Sequence, residues 1–397
     1  MAHFHRLIHC LAHIVDGKEG HIHSGQRFHL HAGASGGTGR TDCFNLICLL
    51  MDRKVHSQLG QVQQVAQRKK MRDQTGREID YMRISITDRC NLRCKYCMPD
   101  GIQCMPRWEI LSLEELEAIA VCAADLGIRK IKVTGGEPLV RRDCPQLVRM
   151  LKNDPGIEKV TLTTNGVLLE QYLGELLNAG LDAVNISLDT LDPGLYETIT
   201  GADALDKVLG IISRADRLPI PVKVNAVSID FDNWKDGKER DKNGWRAMAA
   251  LAEQYPVDVR FIEMMPIGYG KQFQGIDHRT LLLQLKEMYP DLETDHEVHG
   301  FGTAVYYKSQ RFKGSIGLIS AIHGKFCSSC NRVRLTAQGY LKNCLCYEDG
   351  VDLKQVLREE ISRPEKESHF IWPEGLDVRD EGLQSRLSSC FRSTPSS

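Results

Sequence analysis

Three cysteines, Cys90, Cys94 and Cys97, have the spacing C-x3-C-x2-C, and an aromatic residue, Tyr96, precedes the third of them. A cubane iron–sulfur cluster needs one thiolate for each of its four irons, so three thiolates would leave one iron open. An open metal position binds and activates a small molecule, as it does in catalytic zinc sites. A zinc knuckle and three unrelated thiols remain as alternatives, although zinc motifs usually come as C-x2-C pairs.

A second cysteine group lies nearer the C-terminal end of the chain. Cys327, Cys330 and Cys344 have the spacing C-x2-C-x13-C, which again offers three thiolates. By itself this spacing fits a structural zinc site as well as an iron–sulfur cluster. Cys346 is a candidate for a fourth ligand that would close the site, but two ligands separated by one residue would be strained on one cluster. The sequence leaves this alternative open.

Taken together, the two cysteine groups resemble those of a known family. The first triad is similar to that of the radical S-adenosylmethionine enzymes, and both triads resemble those of the GTP 3′,8-cyclases of molybdenum cofactor biosynthesis, over residues 71–370. The resemblance implies two 4Fe-4S clusters and S-adenosyl-L-methionine as cofactors. The implied reaction is removal of hydrogen from C3′ of GTP by a 5′-deoxyadenosyl radical, followed by attack on C8. The expected products are (8S)-3′,8-cyclo-7,8-dihydroguanosine 5′-triphosphate, 5′-deoxyadenosine and methionine.

The resemblance also assigns residues to the cofactors. Each triad would hold one cluster, and no side chain is expected to act as acid or base, because the radical arises at the first cluster. Downstream of the first triad, the adjacent glycines Gly135 and Gly136 would let the backbone approach a ligand closely. Glu137, which follows them, would accept a hydrogen bond from an ammonium group. The residues expected to contact S-adenosyl-L-methionine are Tyr96, Gly136, Glu137, Ser187 and Met265.

A triphosphate needs positive charge, which arginine forks and lysine point charges supply. Arg332 and Arg334 are two residues apart, so on a strand both would point to one face beside Cys330. Arg141 and Arg142 have no counterpart in the family and are predicted to be surface charges. By resemblance, the residues expected to contact GTP are Arg83, Lys132, Thr163, Lys223, Arg332, Val333 and Arg334.

The composition limits the partners. The 397-residue chain carries 51 Lys and Arg against 52 Asp and Glu, so no global basic field favours nucleic acid. No apolar run reaches the length of a membrane span, and cysteines clustered in metal-type spacing predict a reducing, cytoplasmic location. The resemblance implies GTP as substrate, a flavodoxin- or ferredoxin-type electron donor, and the next pathway enzyme, cyclic pyranopterin monophosphate synthase. It is compatible with a homodimer.

Strand and helix patterns alternate from residue 81 onward. Short turns between them predict an α/β fold, a partial (β/α)6 TIM-type barrel with its chemistry at the carboxyl ends of the strands. A C-terminal α+β extension is expected to cover the open side. Strands are predicted at residues 81–87, 130–134, 159–163, 183–188, 222–228 and 257–262, helices at 113–127, 144–152, 168–178, 204–215 and 245–254, and extension strands near 303–307, 316–320 and 332–335.

Four segments follow from these patterns. A divergent leader that holds nine of the 14 histidines is expected to be disordered or outside the fold. For this leader, a metal-binding histidine tract and an organelle transit peptide remain alternatives. Residues 235–243 are predicted to be an inserted, solvated loop. The segments are the leader at 1–70, the radical S-adenosylmethionine barrel at 71–269, the region with the second cluster at 270–370, and an unmatched tail at 371–397.

Three other functions remain open at this point. The chain could be a radical S-adenosylmethionine enzyme with an auxiliary cluster that acts on another substrate, such as a peptide. A zinc-binding scaffold without catalysis would be colourless when purified, whereas an iron–sulfur protein would be brown. The family's chains end in Gly-Gly, a pair absent from the last residues here, so a degenerate copy, inactive through its altered tail, is the third alternative.

Overall fold

Twelve strands form one mixed sheet in this computed structural model, which describes residues 71–73, 76–101, 105–231, 244–324, 326–346 and 350–361. The predicted leader, tail and inserted loop lie outside the described residues. The strands are β1 Tyr81–Ser85, β2 Lys130–Thr134, β3 Lys159–Thr164, β4 Ala183–Ser187, β5 Val222–Ser228, β6 Asp258–Glu263, β7 Glu293–Asp295, β8 Val305–Lys308, β9 Ser315–Ile319, β10 Arg332–Leu335, β11 Tyr340–Lys342 and β12 Gly350–Asp352. The α-helices among the described residues are α1 Leu113–Leu126, α2 Cys144–Asn153, α3 Leu169–Asn178, α4 Pro193–Thr200, α5 Leu205–Ile212, α6 Gly244–Gln254, α7 His278–Met288 and α8 Leu353–Ile361.

The predicted partial barrel of alternating strands and helices is confirmed. Strands β1 to β6 pair in parallel and in chain order, and the whole sheet has the order β12-β11-β10-β1-β2-β3-β4-β5-β6-β9-β8-β7. The C-terminal extension joins this sheet at both edges. β10 pairs in parallel with β1, and β9 pairs in parallel with β6. Because the order is linear, the barrel is open.

Three helices, α4, α7 and α8, were not predicted, and α4 bears on the site. α4 begins at Pro193, and the carboxylate of its N-cap residue, Asp192, accepts a hydrogen bond of 2.6 Å from the Leu195 N–H. Such a cap satisfies one of the free N–H groups at a helix start. α4 has only 8 residues, which is too short for a clear helical period.

Among the described residues, no helix is both long and apolar enough to cross a membrane.

Alternation along β1 separates an apolar face from a polar one. Met82, Ile84 and Ile86 are completely buried in the hydrophobic core that the strands share with the surrounding helices. Burial of each such side chain stabilises the fold by about 1.5–3 kcal/mol. Tyr81 and Arg83 occupy the alternate positions and so face the inside of the barrel. The fold therefore lines its interior with polar groups while the apolar outer face holds it together.

Candidate active site

The first cysteine triad lies in a loop that follows β1, at the carboxyl end of the parallel strands. Two backbone bonds fix this loop to the end of α4, from the Arg93 N–H to the Thr200 carbonyl (2.7 Å) and from the Lys95 N–H to the Ile199 carbonyl (3.0 Å). A tight turn follows, in which the Cys97 N–H donates to the Cys94 carbonyl at 2.9 Å. Helix α4, which the sequence did not predict, is thus part of the support of the loop.

The three thiols of this loop influence one another, which places them close together. Burial, followed by the neighbouring Asp189 and the other two thiols, raises the pKa of Cys94 far above its usual value. Burial raises the pKa of Cys90 and of Cys97 as well. Converging thiols that keep their protons until a metal displaces them are suited to a metal cluster. The donor set therefore fits the iron–sulfur cluster expected from the sequence.

The adjacent glycines pack against the backbone that leads into the cysteine loop. The Gly136 N–H donates to the Thr87 carbonyl at 2.9 Å, and the Glu137 N–H donates to the Arg89 carbonyl at 2.8 Å. A Cβ atom on Gly136 would lie 2.4 Å from the Arg89 carbonyl oxygen. Glycine is therefore required here by a close approach of two protein loops. Its expected contact with S-adenosyl-L-methionine stays a prediction.

Glu137 links the glycine loop to the end of β3. Its carboxylate is buried and accepts hydrogen bonds from the Leu139 N–H (3.0 Å), the Thr164 hydroxyl (2.7 Å) and the Asn165 N–H (2.7 Å). Burial is the largest effect on this carboxyl group and raises its pKa. The expected role as acceptor for an ammonium group stays a prediction, because the donors seen here belong to the protein.

Tyr96 is tied to Asp189, a residue that the sequence analysis did not single out. The Tyr96 hydroxyl donates to Asp189 Oδ2 at 2.6 Å, while Asp189 Oδ1 accepts from the Val227 N–H at 2.8 Å. Burial raises the pKa of Asp189 and, together with Asp189 itself, that of Tyr96. Asp189 therefore joins the cysteine loop to β5. The partners are 93 residues apart in the chain, so local patterns give no signal for the pair.

Two other residues expected to contact S-adenosyl-L-methionine lie at strand ends near this pair. Ser187 is the last residue of β4 and is half-buried. Met265 is half-buried in the loop after β6, and in the continuation of that loop the Phe273 ring contacts the Tyr96 ring edge-on, with centroids 6.3 Å apart. These positions agree with a ligand at the carboxyl ends of the strands, but the contacts themselves stay predictions.

The cations predicted for GTP converge inside the barrel. Arg83 on β1 lies opposite Lys132 on β2 and opposite Arg334 on β10. Lys132 is 9% exposed, and it lies close enough to Arg83, Lys223 and Arg332 to be affected by their charges. One face of the sheet therefore gathers all five predicted cations, which come from four strands.

A sixth cation, Arg260 on β6, belongs to the same group and was not predicted. It is 8% exposed, and its charge affects both Lys132 and Arg83. A parallel strand buried on both faces is normally apolar throughout, so an arginine in the middle of β6 is a signal that could have identified it. We call Arg83, Lys132, Lys223, Arg260, Arg332 and Arg334 the cation cluster.

Part of the cation cluster lacks anionic partners in the described residues. The buried Nε atoms of Arg83, Arg260 and Arg332 have no hydrogen-bond partner. Lys223 is the exception, since its Nζ lies 2.5 Å from Asp258 Oδ2. A terminal nitrogen of the Arg332 guanidinium donates a hydrogen bond to the Thr303 hydroxyl at 3.2 Å. Buried donors without partners are costly, so the cluster is suited to an anion that brings its own acceptors.

The charges in the cluster destabilise one another. Burial, and then Arg260, Arg83, Lys223 and Arg332, lower the pKa of Lys132 well below its usual value. Burial, and then Arg83 and Arg332, lower the pKa of Arg334 to about 9. A polyanion would relieve both the repulsion and the missing hydrogen bonds.

The remaining predicted residues are placed less directly. The Thr163 hydroxyl accepts a hydrogen bond from the Asn185 side chain at 3.5 Å and faces the barrel interior. Val333 is 2% exposed and packs in the hydrophobic core, so only its backbone remains available for its predicted contact with GTP. Arg142 is exposed, as predicted. The prediction for Arg141 is wrong, because its guanidinium donates to the carbonyls of Ile86 (2.9 Å) and Leu111 (3.0 Å).

The second cysteine triad is next to the cation cluster. Cys330 lies two residues before the start of β10, and the thiols of Cys330 and Cys344 interact electrostatically with Arg334. The Cys327 carbonyl accepts a hydrogen bond of 2.9 Å from Arg77, which lies in the segment before β1. The second triad therefore lies beside the cation cluster, an arrangement that fits a metal cluster next to a polyanionic substrate. The first triad lies at the carboxyl end of the strands of the same sheet.

Two family models match this chain. The family described as the Radical SAM superfamily matches residues 84–240, and Molybdenum Cofactor Synthesis C matches residues 257–381. The crystal structure of Streptococcus suis SuiB bound to S-adenosylmethionine is similar to 70% of this chain and 64% of that one, with a TM-score of 0.50 and 15% identity, which is a likeness of fold. The chain thus spans just under two thirds of SuiB. Fold and first triad together define a radical S-adenosylmethionine protein.

The curated relatives narrow the class to one family. A GTP 3′,8-cyclase of Desulforamulus reducens is 43% identical over 300 residues, which cover 74% of this chain and 90% of the relative. A GTP 3′,8-cyclase of Clostridium perfringens is 40% identical over 296 residues, 74% of this chain and 89% of the relative. A third, from Peptoclostridium acidaminophilum, is 44% identical over 72% of this chain and 86% of its own. The chain belongs to the GTP 3′,8-cyclase family.

Proposed function

We propose that this chain cyclises GTP to (8S)-3′,8-cyclo-7,8-dihydroguanosine 5′-triphosphate, the first step of molybdenum cofactor biosynthesis. One observation carries the proposal. Six cations on one face of the sheet, three of them buried and three half-buried, lie beside the second cysteine triad, and the Nε atoms of three have no hydrogen-bond partner in the described residues. A triphosphate brings several negative charges and many acceptor oxygens, which is what such a group lacks.

The cations supply orientation as well as affinity. Because they lie on different strands of a rigid sheet, they would hold the triphosphate at several points and so fix the ribose and the base. Hydrogen bonds between arginine and phosphate are charge-assisted and are each worth about 1.5–3 kcal/mol. Burial of Lys132, Lys223 and Arg260 would limit the access of water to the bound substrate, which would protect a reactive intermediate.

The cysteine triads would hold the two cofactor clusters. Cys90, Cys94 and Cys97 would bind the first cluster, which when reduced supplies the electron that cleaves S-adenosyl-L-methionine. The Tyr96–Asp189 pair holds the loop of these cysteines in place beside the strand ends. The other proposed contacts of S-adenosyl-L-methionine are Gly136, Glu137, Ser187 and Met265. Those of the second cluster are Cys327, Cys330 and Cys344.

The substrate contacts and the partners follow from the same proposal. Reduction of the first cluster requires a one-electron donor, for which a flavodoxin or ferredoxin is suited, and the product requires a next enzyme such as cyclic pyranopterin monophosphate synthase. Free cysteines clustered in metal-type spacing favour a reducing cytoplasm, and a homodimer is compatible with the proposal. The residues proposed to contact GTP are Arg83, Lys132, Thr163, Lys223, Arg260, Arg332, the backbone of Val333, and Arg334.

The test is the formation of 5′-deoxyadenosine by the anaerobically reconstituted full chain, with dithionite and S-adenosyl-L-methionine. We expect the yield to rise when GTP is added and to stay at its basal value with ATP, which carries the same triphosphate on a different base. Equal yields with GTP, with ATP and without nucleotide would contradict GTP as the substrate while leaving radical formation intact.

A further inference from the structure

The ammonium group of Lys223, one of the cations in the cluster, is surrounded by hydrogen-bond acceptors of the protein. Its Nζ lies 2.5 Å from Asp258 Oδ2 and 3.4 Å from the Tyr306 hydroxyl, and it also donates to the His299 carbonyl. An ammonium group has three N–H donors, so these three acceptors occupy all of them. A phosphate oxygen can therefore bind Lys223 only by replacing one of these partners.

Asp258 is the partner that carries a charge opposite to that of Lys223. The sheet register places Lys223 opposite Asp258 and Asp258 opposite Ser315, so the three residues form a row across β5, β6 and β9. Asp258 Oδ2 faces Lys223, whereas Oδ1 accepts from the Ser315 hydroxyl at 2.7 Å and lies 3.2 Å from His299 Nδ1. Asp258 therefore keeps two hydrogen-bond donors if Lys223 turns to another acceptor.

His299 is fixed between two carboxylates and against an aromatic ring. Its Nδ1 faces Asp258 Oδ1, and its Nε2 lies 2.9 Å from Asp295 Oδ2. Its ring stacks on that of Tyr306, with centroids 4.2 Å apart. Ionised carboxylates only accept hydrogen bonds, so both ring nitrogens of His299 must donate for both contacts to be made. The structure thus aims one donor of His299 directly at the carboxylate that holds Lys223.

We infer that His299 is a positioning residue, which acts through Asp258 to make the ammonium group of Lys223 available to the triphosphate. The inference deepens the proposed function and rests on it for the identity of the substrate. In the exchange, a phosphate oxygen replaces Asp258 Oδ2 as the partner of Lys223, while Asp258 stays paired with Ser315 and His299. One hydrogen bond replaces another, and neither a proton nor an electron is transferred.

The cost of releasing Lys223 depends on what remains at Asp258. The Asp258 side chain is only 16% exposed, and a carboxylate that loses its donors in such surroundings is costly. Without the His299 donor, Asp258 would depend more strongly on Lys223 and would hold it away from the phosphate. His299 therefore favours phosphate binding even though its ring is not required to touch the substrate.

The same contacts also connect the loop between β7 and β8 to the barrel, because Asp295 is the last residue of β7 and Tyr306 lies in β8. A structural role of His299 alone would lower the free energy of unfolding and would not distinguish one ligand from another. A positioning role predicts a loss of affinity only for ligands that carry the phosphates.

The test measures the binding of GTP, guanosine and inorganic tripolyphosphate to the anaerobically reconstituted full chain by equilibrium dialysis. His299→Phe keeps a ring that can stack on Tyr306 and removes both ring nitrogens. We expect its dissociation constants for GTP and tripolyphosphate to rise about tenfold, which corresponds to the loss of one charge-assisted hydrogen bond, and that for guanosine to stay unchanged. The control His296→Phe, at an exposed position of the same loop, should bind all three ligands as the parent does.

A double-mutant cycle with Lys223→Met separates positioning from a general loss of structure. If His299 acts through Lys223, His299→Phe should weaken tripolyphosphate binding in the parent and have no further effect in Lys223→Met. His299→Asn, whose amide can donate to Asp258 in place of Nδ1, should restore most of the affinity. Equal losses in the two backgrounds, or an equal loss for guanosine, would overturn the inference.

The tripolyphosphate measurements contain no nucleoside, so they are independent of GTP as the substrate. Coupling between His299 and Lys223, together with a yield of 5′-deoxyadenosine that does not respond to GTP, would support the inference and contradict the proposed substrate. A yield that rises with GTP, together with unchanged tripolyphosphate affinity in His299→Phe, would do the reverse. Turnover gives a second readout, since His299→Phe should raise the KM for GTP and leave kcat unchanged; a lower kcat at an unchanged KM would also overturn the inference.

Discussion

Replacement of Arg260 by methionine tests whether this arginine binds the substrate or only stabilises the fold. Arg260 is 8% exposed, and its Nε has no hydrogen-bond partner in the described residues. Its Cγ packs closely on Gly317, since a Cβ atom added to that glycine would lie 3.0 Å from it. Methionine retains the apolar stem and removes only the charge and its donors. If Arg260 had only a structural role, the variant chain would be less stable. If Arg260 binds the substrate, the variant chain would bind GTP more weakly.

The expected size of the effect follows from the missing hydrogen bonds. A charge-assisted hydrogen bond to phosphate is worth about 1.5–3 kcal/mol, which corresponds to a dissociation constant for GTP that is about 10- to 100-fold higher. The free energy of unfolding of the nucleotide-free chain should not fall, because replacing a crowded buried charge with an apolar group is often neutral or stabilising. The pKa of Lys132 should rise, since Arg260 is one cause of its lowering.

The assay is equilibrium dialysis of GTP against the anaerobically reconstituted chain, paired with urea unfolding of the metal-free chain. Arg142→Met is the matched control, because it removes the same charge from an exposed position. It should leave both quantities unchanged. An Arg260→Met chain that binds GTP as well as the parent but unfolds more easily would refute the assignment of Arg260 to the substrate.

Three further results are expected. Gly136→Ala should lose the iron of the first cluster and keep that of the second, because the added Cβ would lie 2.4 Å from a carbonyl oxygen of the cysteine loop. The control Gly174→Ala has open space around the added Cβ and should keep the iron of both clusters. Equal iron contents in the two variants would refute this prediction. Tyr96→Phe should lower the free energy of unfolding of the metal-free chain, measured in urea, by about 1–3 kcal/mol, because the half-buried carboxylate of Asp189 loses a hydrogen-bond donor. An unchanged free energy of unfolding would count against a stabilising role of the Tyr96–Asp189 pair. Burial lowers the pKa of His278 in the folded chain. As the pH falls below about 6.5, the imidazole is therefore protonated in the unfolded chain before it is protonated in the folded chain. The free energy of unfolding then falls, by at most about 1.4 kcal/mol per pH unit. His278→Gln should remove this component from unfolding curves measured between pH 5.5 and 7.5, whereas the exposed His296→Gln should not; the same slope in both variants would contradict it.

Much of the barrel could be predicted because its elements carry local signals. The Ser-x-x-Glu pattern at Ser112 and Glu115 marks the start of α1 in the sequence, and the structure has both hydrogen bonds of this capping box. The strands of the barrel alternate or form apolar runs between turn residues, so β1 to β6 were located to within two residues at each end. The pairing of β10 with β1 could not be predicted, because it joins residues about 250 positions apart through a sheet edge that no local pattern marks.

The site was only partly predictable for the same reason. The cysteine triads and the glycine loop have fixed spacing, and Arg332 and Arg334 follow from strand alternation. Arg260 enters the cation cluster only through the register of β5 with β6. Alternation also places Val333 on the opposite face from Arg332 and Arg334, which limits it to backbone contact.

The most direct test of the central claim is the transfer of deuterium from GTP labelled at C3′ to 5′-deoxyadenosine, read by mass spectrometry after reaction of the reconstituted chain. If the cation cluster holds GTP with its ribose at the first cluster, as proposed, the 5′-deoxyadenosine formed with this GTP should carry one deuterium. GTP labelled at C2′ should give none. GTP-dependent formation of unlabelled 5′-deoxyadenosine from the C3′-labelled substrate would contradict the proposed reaction.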